Sequence, residues 1–300
     1  MNSLISMRDL DKNQILDLIE KAGKIENKEI WPELKGQVMA SLFFEPSTRT
    51  QLSFDSAMKK LGGEVILMSG TKGTSVEKGE TLSDTVKVVN QYSDIIVVRH
   101  PNEGAARYIS EQVNIPVVNA GDGSNQHPTQ SMLDLYSISK TQGTLDNLSI
   151  ALVGDLKYGR TVHSLVYALS TFSPIFYFIS PEILAMPDYI TEDLKQMNIE
   201  YHILDKVEDI VDNLDVMYVT RIQRERFADP QEYERVKNAY IIRASQLTNA
   251  KDNFKVLHPL PRVNEIHTDV DELPAAYYFE QAGNGVFMRQ AILSTLLGVQ

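Results

Sequence analysis

Short apolar runs rich in β-branched residues recur along the chain at Val38 to Phe44, Val65 to Met68, Ile95 to Val98, Val117 to Val118, Ile150 to Val153, Ile175 to Ile179 and Val216 to Val219. Between them the apolar positions fall at helical spacing, as in Pro128 to Lys140 and again in Val286 to Leu297. Apolar strands separated by helical patterns predict parallel sheets covered by helices. So many strands over 300 residues divide more naturally into two sheets than one, with the segment from Pro128 to Lys140 as the joint. The expected fold is α/β with two domains, each a parallel β-sheet flanked by helices. The boundaries expected are residues 1–130 together with 285–300, and residues 131–284, with the C-terminal helix packing back on the first domain.

Composition narrows the function without naming it. The chain is 43% apolar and 23% charged, ordinary for a globular protein. No apolar run approaches the roughly 18 residues that span a bilayer. The opening MNSLISMRDLDKNQ lacks the basic-then-apolar layout of a secretory signal, so the expectation is a cytoplasmic protein with no membrane partner. A net charge of −11 argues against nucleic acid, whose phosphates need a basic face. With no cysteine, disulfides, thiol nucleophiles and thiolate-bound zinc are all excluded. The six histidines form no H-x-x-x-H pair and adjoin no carboxylate cluster, so no metal is expected, and with no G-x-G-x-x-G a dinucleotide cofactor has no support either.

In open α/β sheets ligands gather at the loops after the carboxyl ends of strands. Phe43-Phe44-Glu45-Pro46-Ser47-Thr48-Arg49-Thr50 joins a predicted strand to a predicted helix. Free amides at a helix start attract an anion, the hydroxyls of Ser47, Thr48 and Thr50 add donors, and the Arg49 guanidinium matches two phosphate oxygens. In isolation the same residues also read as an N-cap followed by a solvated arginine. Four such loops each carry one arginine, Arg49, Arg99, Arg160 and Arg221, which implies ligands with several negative charges. Lys78, in the loop Gly73 to Gly79, is either a further point charge or a solvated surface group. His127 and Gln130 are three residues apart at a helix start, where both can face one cavity and His127 can donate to a carbonyl oxygen. His127 can equally cap backbone in a turn. Gly154 to Thr161 reads G-x-x-x-x-G-R-T, with Arg160 where a P-loop carries lysine, and favours a carboxylate or phosphate clamp over nucleotide hydrolysis.

Taken together, FFEPSTRT, RHPNEGAAR, NAGDGSNQHPTQ, VGDLKYGRTVHS, TRIQRERF, VLHPLPR and QAGNGVFMRQA resemble the signatures of the aspartate carbamoyltransferase family, in that family's order and over nearly the whole chain. The sister ornithine enzymes share S-T-R-T and H-P-x-Q but typically place a cysteine-containing motif where this chain has His258-Pro259-Leu260-Pro261-Arg262. The resemblance implies transfer of the carbamoyl group from carbamoyl phosphate to L-aspartate in pyrimidine biosynthesis. It assigns Ser47, Thr48, Arg49, Thr50 and Arg99 to the phosphate, and Thr50, Arg99 and His127 to the carbonyl oxygen. Gln130 and the backbone carbonyls of Leu260 and Pro261 would orient the carbamoyl nitrogen, and Arg160, Arg221 and Gln223 would hold the aspartate carboxylates. Ser75 and Lys78 would come from the adjacent subunit of a homotrimer, and separate regulatory chains are a further partner that the resemblance allows. Two rivals stand beside it: a carbamoyltransferase with another amine acceptor, such as ornithine, and a non-catalytic phosphate-ligand binding protein. Arg221 and Gln223 bear on the first, because a cationic acceptor disfavours an arginine beside its side chain.

Overall fold

The computed structural model of the chain describes all residues except 223, 225, 226, 228 and 300. Contacts divide the chain into two compact units, Met1–Tyr136 with Gly283–Gln300, and Ser137–Ala282. The division falls inside a helix, Pro128–Gln142, rather than in a linker.

In the first unit the order is α1 (Lys12–Glu26), β1 (Val38–Phe43), α2 (Thr48–Lys60), β2 (Glu64–Ser69), α3 (Leu82–Val89), β3 (Ile95–His100), α4 (Ala105–Gln112), β4 (Val117–Asp122) and the first turns of α5 (Pro128–Gln142). Helix α1 starts at a capping box between Asp11 and Gln14 and buries Ile15, Leu18, Ile19, Ala22 and Ile25, a stripe at helical spacing. The four strands are parallel in the order β2-β1-β3-β4. β1, β3 and β4 are buried along nearly their whole length, whereas β2 lies at the edge and is largely exposed. Ala40, Leu42, Ile96, Val98, Ile109 and Val117 form a core between this sheet and its helices.

The final helix, α9 (Tyr278–Leu296), belongs to this unit from Gly283 onward, as its apolar spacing predicts. The Arg289 guanidinium lies 5.0 Å from the Phe54 ring centre and donates to Ser53 Oγ at 2.9 Å, tying α9 to α2. A Cβ on Gly285 would come 3.1 Å from Leu133, so α9 also approaches α5 closely.

The second unit contains the rest of α5, then β5 (Ser149–Val153), α6 (Arg160–Ser170), β6 (Ile175–Ile179), α7 (Asp188–Gln196), β7 (Glu200–Leu204), β8 (Val216–Val219), α8 (Pro230–Val236) and β9 (Lys255–Leu257). Its five strands are parallel in the order β7-β6-β5-β8-β9. Ala151, Val153, Met217, Val219, Phe254, Val256 and Tyr278 share its core. Strands β7 and β9 were not predicted from the apolar pattern. β7 is a largely exposed edge strand with sequence EYHIL, and β9 is only three residues long.

Each sheet grows first to one side and then to the other. The switch lies between β1 and β3 in the first unit and between β5 and β8 in the second. Such points leave a crevice at the strands' carboxyl ends. No helix among the described residues is long and apolar enough to cross a membrane.

Candidate active site

At the first switch point, α2 begins at Thr48 with Ser47 in the N-cap position. Ser47 has φ −157° and ψ 89° and makes no side-chain cap bond, so its hydroxyl is not spent on closing the helix. Thr48 and Arg49 are exposed and Thr50 is buried against the sheet. A helix start of this kind presents donors to an incoming anion.

Arg99 is placed by the structure inside β3 rather than in the loop beyond it, opposite Phe43 of β1. It is thus a strand residue and not the loop arginine expected, because strand pairing with β1 continues further than the apolar run. Arg99 is 9% exposed, and its guanidinium donates from Nη1 to the Ala120 carbonyl at 3.2 Å and lies with Nη2 3.1 Å from Glu45 Oε2. A buried guanidinium needs such partners, and Glu45 belongs to the segment that leads from β1 into α2.

His127 and Gln130 are delivered by the segment linking β4 to α5. Its organiser is Asp122, 1% exposed, which accepts from the Gly104 amide at 2.8 Å, the Asn119 side chain at 2.9 Å, the Asn125 side chain at 3.0 Å and the Gln126 amide at 3.1 Å. Gly123 turns the chain at φ +54°, where a Cβ would come 2.9 Å from the Pro101 carbonyl. His127 and Gln130 are buried at 5% and 8% exposure at the head of α5. Gln130 Nε2 donates to Asp134 Oδ1 at 2.8 Å; a carboxylate only accepts, so the Gln130 oxygen is turned away from Asp134. Asp134 in turn carries the charge that opposes the effect of burial on Arg289, whose pKa is pushed down to about 10. Neither Asp122 nor Asp134 was singled out from the sequence. For Asp134 the signal available was a carboxylate among Met132, Leu133 and Leu135; Asp122 sits in a polar, glycine-rich stretch that gives none.

Ser75 and Lys78 form a one-turn 3-10 helix and both are exposed. Ser75 Oγ donates to Glu80, which also accepts from Thr85 Oγ1 at 2.8 Å. Among the described residues, neither Ser75 nor Lys78 hydrogen-bonds to Arg49, Arg99 or His127 within the chain.

At the second switch point, Gly154 follows β5 at φ +111°, and a Cβ there would sit 2.2 Å from the Thr220 carbonyl after β8. Only glycine lets the two strand ends approach this closely. Asp155 donates its amide to Thr220 Oγ1 at 3.0 Å, and its Oδ1 accepts the Tyr158 amide at 2.9 Å. A P-loop would offer such amides to phosphate; here a carboxylate occupies one. The turn instead places Arg160 as the first residue of α6, half-buried. Arg221, half-buried just beyond β8, lines a small pocket with Gly154, Thr220, Tyr240 and Asn264. Gln223 lies outside the described residues.

Beyond β9, Leu260 adopts φ +55° and the Leu260–Pro261 peptide is cis. The next residue, Arg262, is gripped by both oxygens of Asp271 and by the Tyr278 hydroxyl, with its guanidinium 5.6 Å from the Phe279 ring centre. These contacts raise the Arg262 pKa and hold Asp271 below the usual carboxylate range. Among the described residues, no group of three or more His, Cys, Asp or Glu is placed to hold a metal ion.

Two parallel-sheet units, each with a pair of arginines at its switch point, correspond to two successive family models. Residues 2–140 match the aspartate/ornithine carbamoyltransferase carbamoyl-P binding domain, and residues 146–296 match the Asp/Orn binding domain. The chain belongs to the aspartate/ornithine carbamoyltransferase family. It is 55% identical over 298 residues to the aspartate carbamoyltransferase catalytic subunit of Bacteroides fragilis, covering 99% of this chain and 97% of that one. The solved catalytic subunit of Methanocaldococcus jannaschii aspartate transcarbamoylase superposes with a TM-score of 0.92 at 53% identity, covering 99% of this chain and 98% of the other. Trypanosoma cruzi aspartate transcarbamoylase, solved in complex with carbamoyl phosphate and aspartate, gives a TM-score of 0.91 at 38% identity over 97% of this chain and 95% of its own.

Proposed function

We propose that the chain is the catalytic chain of an aspartate carbamoyltransferase, forming N-carbamoyl-L-aspartate and phosphate from carbamoyl phosphate and L-aspartate in pyrimidine biosynthesis. The observation that carries this is the pairing of arginines at both switch points: Arg49 with Arg99 in one unit, Arg160 with Arg221 in the other. The substrates' anionic groups, a phosphate on one and two carboxylates on the other, suit such a set.

In this reading the first unit takes carbamoyl phosphate. The amides at the start of α2 and the Ser47, Thr48 and Thr50 hydroxyls hold its phosphate with Arg49 and Arg99. Thr50, Arg99 and His127 face the carbonyl oxygen, while Gln130 and the Leu260 and Pro261 carbonyls receive the carbamoyl amino hydrogens. Asp134 fixes the Gln130 amide so that its oxygen is the atom presented. Arg160, Arg221 and Gln223 take the aspartate carboxylates.

The neutral α-amine of aspartate attacks the carbamoyl carbon, a C–N bond forms and charge gathers on the carbonyl oxygen. The bond from carbon to the phosphate oxygen then breaks, and the amine proton leaves with phosphate. Each donor aimed at the oxyanion is worth about 2.7–4 kcal/mol, and fixing both reactants removes up to roughly 7–11 kcal/mol of the barrier. Ser75 and Lys78 are assigned to the site of the adjacent subunit in a homotrimer, which agrees with neither making a hydrogen bond to Arg49, Arg99 or His127 among the described residues of their own chain. The catalytic-subunit designation of the relatives fits an assembly of this kind, with or without separate regulatory chains.

The test is product formation from labelled carbamoyl phosphate with aspartate, ornithine and other amines in turn. Carbamoyl-aspartate alone is expected. Carbamoyl-ornithine as the main product would favour the rival acceptor, and no transfer to any amine would leave a binding protein.

A further inference from the structure

The loop beyond β9 carries a buried histidine–carboxylate pair to which the reaction above gives no task. His258 and Glu265 are 2% and 6% exposed, with His258 Nε2 2.8 Å from Glu265 Oε1. His258 Nδ1 lies 2.7 Å from the Leu260 amide. A backbone amide only donates, so Nδ1 is the bare nitrogen and Nε2 carries the proton that goes to Glu265. Glu265 Oε2 accepts the amides of Val263 at 3.0 Å and Asn264 at 3.1 Å. The His258 amide itself donates to Gln281 Oε1 at 2.8 Å.

One line of hydrogen bonds therefore runs from the Leu260 amide through the imidazole and the carboxylate to the amides of Val263 and Asn264. It closes on both flanks of the segment that presents the Leu260 and Pro261 carbonyls. Leucine rarely adopts the left-handed φ of +55° found at Leu260, so the conformation needs an external hold. Well-packed apolar residues stabilise a core as well as a buried polar pair does, so directional bonds aimed at one backbone amide point to placement rather than to packing.

We propose that the His258–Glu265 pair is a positioning device: by holding the Leu260 amide on Nδ1, it aims the Leu260 and Pro261 carbonyls at the amino group of the carbamoyl donor. This rests on the proposed function, in which those carbonyls orient the carbamoyl nitrogen. His258 touches no reacting atom; it acts through the loop.

Two substitutions separate its two nitrogens. His258→Asn puts an acceptor close to the place of Nδ1 and gives up Glu265. His258→Gln reaches Glu265 and leaves the Leu260 amide without its acceptor. Amide hydrogen exchange at Leu260, melting temperature and steady-state kinetics are measured on both full-length variants. In His258→Gln, Leu260 exchange is expected to rise about tenfold. Its kcat should fall by roughly 10²-fold, the scale of a 1 Å misplacement, while His258→Asn keeps most of both. Equal losses in the two variants, following melting temperature, would make the pair merely structural and overturn the proposal. So would a His258→Gln enzyme with fast Leu260 exchange and undiminished kcat.

The unaltered chain gives an independent reading, whatever the variants' folding. Its His258 ¹⁵N resonances are expected to report the neutral Nε2–H form, and an Nδ1–H or doubly protonated ring would remove the contact on which the proposal stands. Absence of carbamoyl transfer by the unaltered chain would instead sink the functional reading. An active unaltered chain with an equally active His258→Gln variant would sink this inference alone.

Discussion

Arg49 stands exposed at the start of a helix whose N-cap hydroxyl is uncommitted, so its loss should touch ligand binding and not folding. Arg49→Ala removes two charge-assisted hydrogen bonds worth about 1.5–3 kcal/mol each, and kcat/KM for carbamoyl phosphate should drop roughly 10²–10⁴-fold with an unchanged urea midpoint. Near-normal saturation would take Arg49 out of the site. His127→Ala should lower the turnover number by about 10²–10³, as loss of one oxyanion donor does. If only the substrate constant rises, His127 binds without assisting the chemistry. Asp134→Ala is expected to act differently, because it leaves the buried Arg289 guanidinium without the carboxylate that offsets its burial. An uncompensated buried charge costs roughly 3–5 kcal/mol, and urea unfolding should show a loss on that scale.

At the scale of elements, the β5–α6 turn sets where Arg160 begins its helix, and Gly154 permits it. Gly154→Ala would force a methyl to within 2.2 Å of the Thr220 carbonyl at a φ of +111°. Strain of this kind costs about 1–3 kcal/mol, so the melting temperature should fall and the aspartate KM should rise together. A fully stable variant with wild-type kinetics would show that the strand ends move apart freely. The central strands were legible in the sequence because strands buried on both faces read as continuous β-branched runs. β7 was not, since an edge strand keeps polar residues, and β9 was too short to leave a period. β4 extends through Asn119 and Asp122, polar residues that the apolar run could not predict, because their partners come from Ile5, Gly104 and Asn125. The arginines and hydroxyls of the candidate site were legible as chemistry at strand ends. Asp122, Asp134 and the His258–Glu265 pair were not, because their tasks arise only once distant segments meet.

For the whole molecule, the proposed completion of the site by Ser75 and Lys78 of a neighbouring subunit predicts complementation. Lys78→Ala and His127→Ala chains, each inactive, should regain a fraction of wild-type activity when refolded together, since a ring of heterologous interfaces assembles some sites from intact parts of both. Hybrid trimers as inactive as their parents would place Lys78 outside the shared site. The central claim is that the two units divide the two substrates, and the kinetics of Arg221→Ala with each substrate varied in turn test it most directly. Loss of a charge-assisted carboxylate contact predicts an aspartate KM raised by roughly 10- to 10²-fold with the carbamoyl phosphate constant nearly unchanged. Equal weakening of both substrates would contradict that division.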